Sequence, residues 1–450
     1  MKSKFVAPFV LASAGVCFLF FQIEIASSFG FLAIDPGVRV GPSGAGGPIA
    51  GLSDSEGKFF EAALEEFTEA DGTNEGLGPR MNLDSCSGCH LQPEVGGTSP
   101  SVNPQVAFAN KMNATNTVPS FITANGPVRE ARFVRNPDGT PDGGVHALFT
   151  ITGRDDAAGC MLGQPAFEQE LANRNVIFRI PTPTFGAGLI EEIPDSAIVA
   201  NRVANASTKR LFGISGRVNK NGNDGSITRF GWKAQNKSLL LFSGEAYNVE
   251  MGITNELFQT ERDETPTCQF TTGPNTVTNT TGATPQETIS AIEKFAFFMR
   301  FLAPPAPSPD TPGGAESITR GRTLFSQIGC ALCHTPTLYT GNSTVAALGN
   351  QTVNLYSDLL VHDMGIVLAD GVSQGRAGPR EFRSAPLWGL GKRVFFLHDG
   401  RTSNLIEAIE AHQSGNVFFG TASEANLVTS LYNVLLEGQK QDLLNFLRSL

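Results

Sequence analysis

Histidine, cysteine and tryptophan are scarce in this chain. Its 450 residues hold six His, seven Cys, two Trp and four Tyr. So few cysteines exclude a disulfide-stapled scaffold. Positive charge is also in short supply. Lys and Arg number 33 against 43 Asp and Glu, for a net charge of −10. There is no basic run and no basic stretch interleaved with aromatics, which excludes nucleic-acid binding as a function class. What remains is rich in Gly and Pro, 49 and 27 residues, so much of the chain is expected as loop. The length leaves room for two or three domains, each with a sizeable core.

Four of the seven cysteines fall into two pentapeptides, Cys86-Ser87-Gly88-Cys89-His90 and Cys330-Ala331-Leu332-Cys333-His334. Both read C-x-x-C-H, the attachment site of a c-type haem. The two thiols add to the haem vinyl groups, and the following His ligates the iron from the proximal side. At this composition on the order of a thousandth of a match is expected by chance. A dithiol does not require the His, and a zinc site would need two distant half-sites that each already carry one. Two covalently bound haems are therefore expected, with His90 and His334 on iron. The Phe content, 33 residues, suits porphyrin walls and ordinary core packing equally.

Residues 1–28 read as a secretory signal. Lys2 and Lys4 precede an apolar run from Phe5 to Ile25, and small residues follow. An uncleaved anchor is the alternative, because the run is long enough to span a membrane. After cleavage no stable membrane span is expected. A periplasmic or otherwise exported location fits the haems. Cys17 lies within the signal, and Val16 before it makes a poor lipidation site. Cys160 and Cys268 are left over, and in an oxidising compartment they suggest a disulfide; two free buried thiols are the alternative.

Residues 29–52 form a Gly/Pro-rich lead-in. Ser53 and Glu56 make a capping box for a helix with Phe60, Leu64 and Phe67 on one face. From about 131 to 232 the pattern changes to strands, such as Asn175 to Ile180, and a hairpin turn at Asn223-Asp224-Gly225. A helix is predicted from Pro285 to Ala303, capped by Thr284 and Glu287. Residues 304–314 are a Pro/Gly linker. A helix bearing Ile318, Gly321 and Phe325 then leads into Cys330, and a last helix runs from about Gln439 to Leu450.

Each half thus reads helix, haem motif, intervening segment, closing helix, which resembles the cytochrome c fold. Gly321 would allow its first and last helices to cross closely. The expected fold is mainly α. It has two cytochrome c-like domains, 53–303 and 315–450, the first with a β-containing insertion.

The segment from Glu381 to His412 resembles the equivalent stretch of bacterial di-haem cytochrome c peroxidases and the related methylamine-utilisation di-haem enzyme. In those proteins a Phe-His-Asp-Gly loop precedes a helix bearing the distal ligand of the C-terminal haem. Here Phe395-Phe396-Leu397-His398-Asp399-Gly400 precedes a helix carrying Leu405, Ala408, Ile409 and His412. The residue fourteen beyond the loop His is usually Met in the peroxidases and Tyr in the methylamine enzyme. In this chain it is His412, which implies bis-His ligation by His334 and His412 and a low-spin electron relay. A helix-surface His is the alternative.

The stretches Gly76 to Pro100, Phe230 to Phe258, Leu324 to Leu338 and Tyr356 to Gly365 are similar to the di-haem oxidoreductase family, sometimes labelled thiol oxidoreductase-like. The thiol label finds no support in the residues, since Cys160 and Cys268 do not form a C-x-x-C motif. The peroxidases place a removable distal His soon after the first haem motif, whereas here none follows His90 until His146. That departure implies a five-coordinate or water-bound first iron. Met112, Met161 and His146 are alternative sixth ligands.

Splitting a peroxide O–O bond needs a group that moves a proton between the two oxygens. The resemblance assigns it to Glu250, in Val249-Glu250-Met251-Gly252. This works only where burial raises the carboxyl pKa, and a surface Glu is the alternative. Trp232 lies where the relatives have a Trp between the haems, with core packing as the alternative; Trp388 is a weaker candidate. His362, followed by Asp363, and His398 are expected to bond haem propionates or a domain interface. Some relatives hold calcium between domains, but nothing in this sequence fixes its ligands. The reading is an exported peroxidase-like di-haem oxidoreductase. It would take hydrogen peroxide or dioxygen and an unidentified electron donor, and pass electrons from the C-terminal to the N-terminal haem. A haem-dependent oxygenase and a non-catalytic electron-transfer cytochrome are the alternatives.

Overall fold

Two crossed helix pairs organise the structure, a computed structural model that describes residues 32–416 and 419–450. Residues 1–28, expected as a signal, lie outside the described residues. In the first pair, helix Asp54–Thr68 begins at the Ser53/Glu56 capping box and buries Phe60, Ala63 and Phe67. It packs on helix Ala291–Phe301 through Phe59 against Phe297, with ring centroids 4.8 Å apart, and Phe67 against Phe298 at 4.4 Å. Buried aromatic faces of this size dominate the local packing energy.

The helix predicted over 285–303 is in fact two. The first stops at Thr288, because Ile289 is extended with φ −70 and ψ 147. Ser290 and Glu293 then form a second capping box that starts Ala291–Phe301. Two overlapping start signals had read as one periodic run.

The second pair is Ala315–Gln327 and Glu437–Ser449, the latter starting two residues earlier than expected. They cross at Gly321, where a Cβ would stand 2.0 Å from the Asp442 carbonyl oxygen. Only glycine allows that approach. Ser317 and Arg320 of one helix bond the Asp442 carboxylate of the other, at 2.6 and 2.7 Å, and fix the crossing.

Between the pairs lie short strands. The central sheet is antiparallel, in the order Val145–His146, Glu130–Phe133, Val176–Arg179. The Asn223-Asp224-Gly225 turn joins Asn219–Lys220 to Ile227–Thr228 as a hairpin, with Gly225 at φ 71. The segment also contains helices that the strand-like pattern did not announce, among them Ala187–Glu191, Asp195–Val203 and Ala206–Phe212. Cys160 and Cys268 form a disulfide in this half.

The lead-in and the Pro-rich linker are both built into the body. Asp35 pairs with the buried Arg448 at 2.6 Å, and the Arg39 N–H donates to the Gly391 carbonyl at 2.7 Å. In the linker, the Ala306 N–H donates to Gly44 and the Ser308 N–H to Ser449. From Ala33 to Leu450 the chain is one unit. Its larger apolar cluster surrounds the first helix pair and takes in Leu338, Leu348, Leu355 and Leu360; the smaller surrounds the second pair. Among the described residues no helix is long and apolar enough to cross a membrane.

Candidate functional site

Each C-x-x-C-H motif opens onto its own cavity. The first, about 1200 Å³, is lined by Cys86, Cys89 and His90; the second, about 1420 Å³, by Cys330, Cys333 and His334. Ser85 caps the turn Cys86–Cys89 through the Gly88 N–H, which sets both thiols on one side of a single helical turn. Gly329, at φ 97, reverses the chain before the corresponding turn at Cys330–Leu332.

The imidazoles share one device. His90 Nδ1 donates to the Gly97 carbonyl at 2.9 Å, and His334 Nδ1 to the Tyr356 carbonyl at 3.1 Å. His412 Nδ1 donates to the Ala408 carbonyl at 2.7 Å. A backbone acceptor on Nδ1 leaves Nε2 unprotonated, the form that binds a metal. Burial pushes His90 and His334 down to about 4, His334 being lowered further by the nearby His412. Burial lowers His412 as well. All three rings are therefore neutral at physiological pH. His412 shares the second cavity with His334. It sits in the turn just beyond helix Leu405–Glu410 and not on the helix as the spacing suggested.

The first cavity differs in kind. His90 is the only histidine among its lining residues, which also include Met251, Met299, Asn82, Gln105, Glu130, Arg132 and Glu250. None of the three alternative sixth ligands lines it. Met161 is exposed, and Met112 is 40% exposed and accepts from Arg154. His146 bonds Asp142 at 2.8 Å and stacks on Phe133 at 3.7 Å.

Glu250 comes from the last turn of helix Leu239–Met251. Gly252 ends that helix in the left-handed region, where a Cβ would meet the Arg80 carbonyl at 2.5 Å. The Glu-Met-Gly pattern is thus a helix stop that presents its Glu to the cavity. Asn82 Nδ2 donates to Glu250 Oε2 at 2.5 Å, while Asn82 Oδ1 accepts from the Leu148 N–H at 2.9 Å. The Glu250 carboxyl is also hydrogen-bonded to Glu130.

Glu130 had no signal in the sequence beyond its place at the start of a strand. There, Glu130 and Arg132 alternate onto one face, and Arg179 stands opposite Glu130 in the neighbouring strand. Burial favours the neutral form of both carboxyls. For Glu130 the adjacent Arg132, at 2.6 Å, overrides it and holds the pKa down to about 2. For Glu250, burial and then the charge of Glu130 raise the pKa well above the usual range. The pair therefore carries one proton, held by Glu250, and one charge, on Glu130.

Trp232 lines both cavities. A tight loop closed by the Phe230 and Asn236 backbones carries it. Its indole N–H donates to the Ile180 carbonyl at 2.9 Å, and its ring meets His398 edge-on at 6.4 Å. Trp388 is buried in the larger apolar cluster. His398 lines the second cavity and stacks on Phe382 at 4.3 Å. His362 also lines the second cavity, with its ring nitrogens bound to Asp358 at 3.0 Å and Glu424 at 2.7 Å. Glu424 in turn accepts from the N–H groups of Ser215 and Gly216, so this cluster joins the two halves of the chain. Among the described residues no group of three or more His, Cys, Asp or Glu is arranged to hold a metal ion.

The residues present fit haem. Each cavity offers two thiols, a motif imidazole whose Nδ1 is held by a backbone carbonyl, and mostly apolar walls. The comparisons agree in kind. Residues 130–450 match the family model described as "Di-haem oxidoreductase, putative peroxidase". No curated protein matches the chain at a significant level. Three solved structures align only loosely. A hydrazine synthase from Kuenenia stuttgartiensis is 17% identical, with 37% of this chain covering 56% of that one and a TM-score of 0.23. A MauG-like protein associated with microbial copper homeostasis is 19% identical, covering 60% of this chain and 90% of its own, with a TM-score of 0.31. The diheme peroxidase BthA from Burkholderia thailandensis E264 is 14% identical, covering 60% and 86%, with a TM-score of 0.29. These three alignments are too weak to carry an argument. The family model spans well over half the sequence and all four histidines that line the second cavity, and on that ground the chain belongs to the di-haem oxidoreductase family.

Proposed function

We propose that the protein reduces hydrogen peroxide in the first cavity, using electrons received through the second. One observation carries this reading, the asymmetry of the two cavities. The second is lined by four histidines, of which His334 and His412 are neutral, each held by a backbone carbonyl at Nδ1, and suited to cap an iron on both sides. The first holds one, His90, together with a protonated carboxyl beside a carboxylate. Two strong axial ligands favour electron transfer, whereas an accessible position favours small-molecule chemistry.

In this reading Cys86, Cys89, Cys330 and Cys333 hold two c-type haems through thioether bonds. Haem supplies the redox-active iron. Glu250 sits where it can give its proton to the leaving oxygen of the peroxide, and Glu130 fixes that proton on Glu250 until it is needed. Asn82 orients the Glu250 carboxyl. The balance is one peroxide, two electrons and two protons to two waters. Trp232 touches both cavities and is the proposed carrier of electrons from the C-terminal toward the N-terminal side. The domain boundaries 53–303 and 315–450, joined by 304–314, belong to the same proposal, as does the insertion at about 131–232. Export is supported by the leader and by the Cys160–Cys268 disulfide, which suits an oxidising compartment.

The test is a spin-state spectrum of the holoprotein with and without peroxide, alongside a pyridine haemochrome assay. Two haems per chain and a high-spin component that disappears on adding peroxide are expected. Two permanently low-spin haems would replace this reading with a plain electron-transfer cytochrome. A stable dioxygen complex as isolated would point instead to an oxygenase.

A further inference from the structure

Cations line both cavities. Arg129 of the first donates only to carbonyls, those of Asp399 and Phe121. In the first cavity Arg132 is paired with Glu130 at 2.6 Å, and Arg179 with Asp370 at 2.7 Å. Asp370 also neutralises the buried Lys233 at 3.0 Å. The second cavity is lined by Arg383 and Arg393. Among the described residues no carboxylate bonds either one. Arg383 Nε donates to the Gly231 carbonyl at 3.0 Å, and Arg393 Nη2 to the Pro386 carbonyl at 3.2 Å. The one carboxylate lining this cavity, Glu424, is engaged by His362 and Ser215. Both guanidiniums thus line the cavity with no protein anion bonded to them.

A half-buried cation without a counter-charge is costly to keep out of water, and a second one on the same cavity wall adds to the cost. Burial brings both Arg383 and Arg393 down to about 10, with Arg383 pushed further by the charge of Arg393. A ligand carrying two carboxylates would relieve both, since the guanidinium fork matches a carboxylate in two parallel hydrogen bonds. Haem carries two such groups, its propionates.

We propose that Arg383 and Arg393 are the carboxylate-binding pair of the second cavity and hold the propionates of its haem. This rests on the reading above that a haem occupies the cavity. The pair has a redox consequence. Neutralising the propionates keeps negative charge away from the iron and holds its potential up, which suits the haem that receives electrons first. Arg383 also ties this effect to Trp232. Its backbone N–H donates to the Trp232 carbonyl at 2.8 Å, so the residue that grips the ligand also braces the Trp loop.

The experiment is spectroelectrochemistry of holoprotein variants at one pH, with haem counted by pyridine haemochrome. Arg383→Gln and Arg393→Gln are each expected to shift the low-spin haem to a more negative potential, leaving the other haem unmoved. Arg383→Lys and Arg393→Lys keep the charge and lose the fork. They are expected to give smaller shifts, and they preserve the test if a Gln variant does not fold. Two haems with an unchanged low-spin potential in all variants would overturn the assignment alone. A wild-type protein lacking the second haem would overturn the underlying reading as well. A wild-type potential that moves on adding inorganic phosphate would show that the pair takes a free anion and not the propionates.

Discussion

Asn82 and Glu250 are joined twice. The Asn82 side-chain amide donates to the Glu250 carboxyl at 2.5 Å, and the Asn82 backbone N–H donates to the Glu250 carbonyl at 2.7 Å. The orientation of the amide is set by the Leu148 N–H on its other side. A carboxyl held this way cannot swing, so a proton on it has one exit, toward Glu130 and the cavity.

Glu250→Gln is therefore expected to lower peroxidase turnover by about 10²–10⁴-fold while leaving peroxide binding visible in the Soret spectrum. Glu130→Gln removes the charge that, after burial, raises Glu250. The basic limb of the pH–rate profile should then move to lower pH. Unchanged turnover in Glu250→Gln, measured by stopped-flow, would remove it from the mechanism.

His412→Met should keep the second haem low-spin and raise its potential, because a thioether axial ligand favours the reduced iron more than an imidazole does. His412→Ala should produce a second high-spin signal. Electron paramagnetic resonance reads both outcomes, and an unaltered spectrum in either variant would exclude His412 as a ligand.

Gly321→Ala places a Cβ 2.0 Å from the Asp442 carbonyl oxygen. The contact is backbone on backbone, so no rotamer change relieves it. A loss of about 1–3 kcal/mol is expected in chemical denaturation, from overpacking of the helix crossing.

Asp71, bonded to Tyr247 of the first cavity, supplies a pH test of stability. Burial pushes its carboxyl up to about 7, although the Tyr247 hydroxyl donates to it at 3.2 Å. The folded protein thus holds a proton that the unfolded chain has released, between its ordinary value of 3.8 and about 7. Stability from this group is undiminished below that window, falls as pH rises through it, and stays low above. Asp71→Asn should be neutral near pH 4 and stabilising by about 1–2 kcal/mol at pH 8, after allowance for solvent screening. Thermal melts at the two pH values give the comparison.

Features encoded over a few residues were legible before the structure. The Ser53/Glu56 capping box, the Asn223-Asp224-Gly225 hairpin turn and the small residue at position 321 each rest on local backbone chemistry, and each is where the sequence pattern placed it. Arithmetic on the remaining thiols suggested a bond between Cys160 and Cys268 but left two free thiols open, and the fold brings the two together as a disulfide. Errors arose where two local signals overlapped. The Thr284 cap and the Ser290 cap lie six residues apart, and helical periodicity ran through both. His412 was placed on a helix because the apolar spacing continued past Glu410, where the backbone had already turned.

The residues around the cavities divide along the same line. Two thiols and an imidazole within five residues are a property of the chain, so the sequence alone determined that two such groups exist and what kind of cofactor they suit. Glu130 and Glu250, or Arg383 and Arg393, gain their character only from what folding brings beside them. Their charges act through distance in space and through burial, neither of which spacing along the chain encodes. Tertiary structure therefore decided which cavity holds a shared proton and which holds two cations without a protein anion.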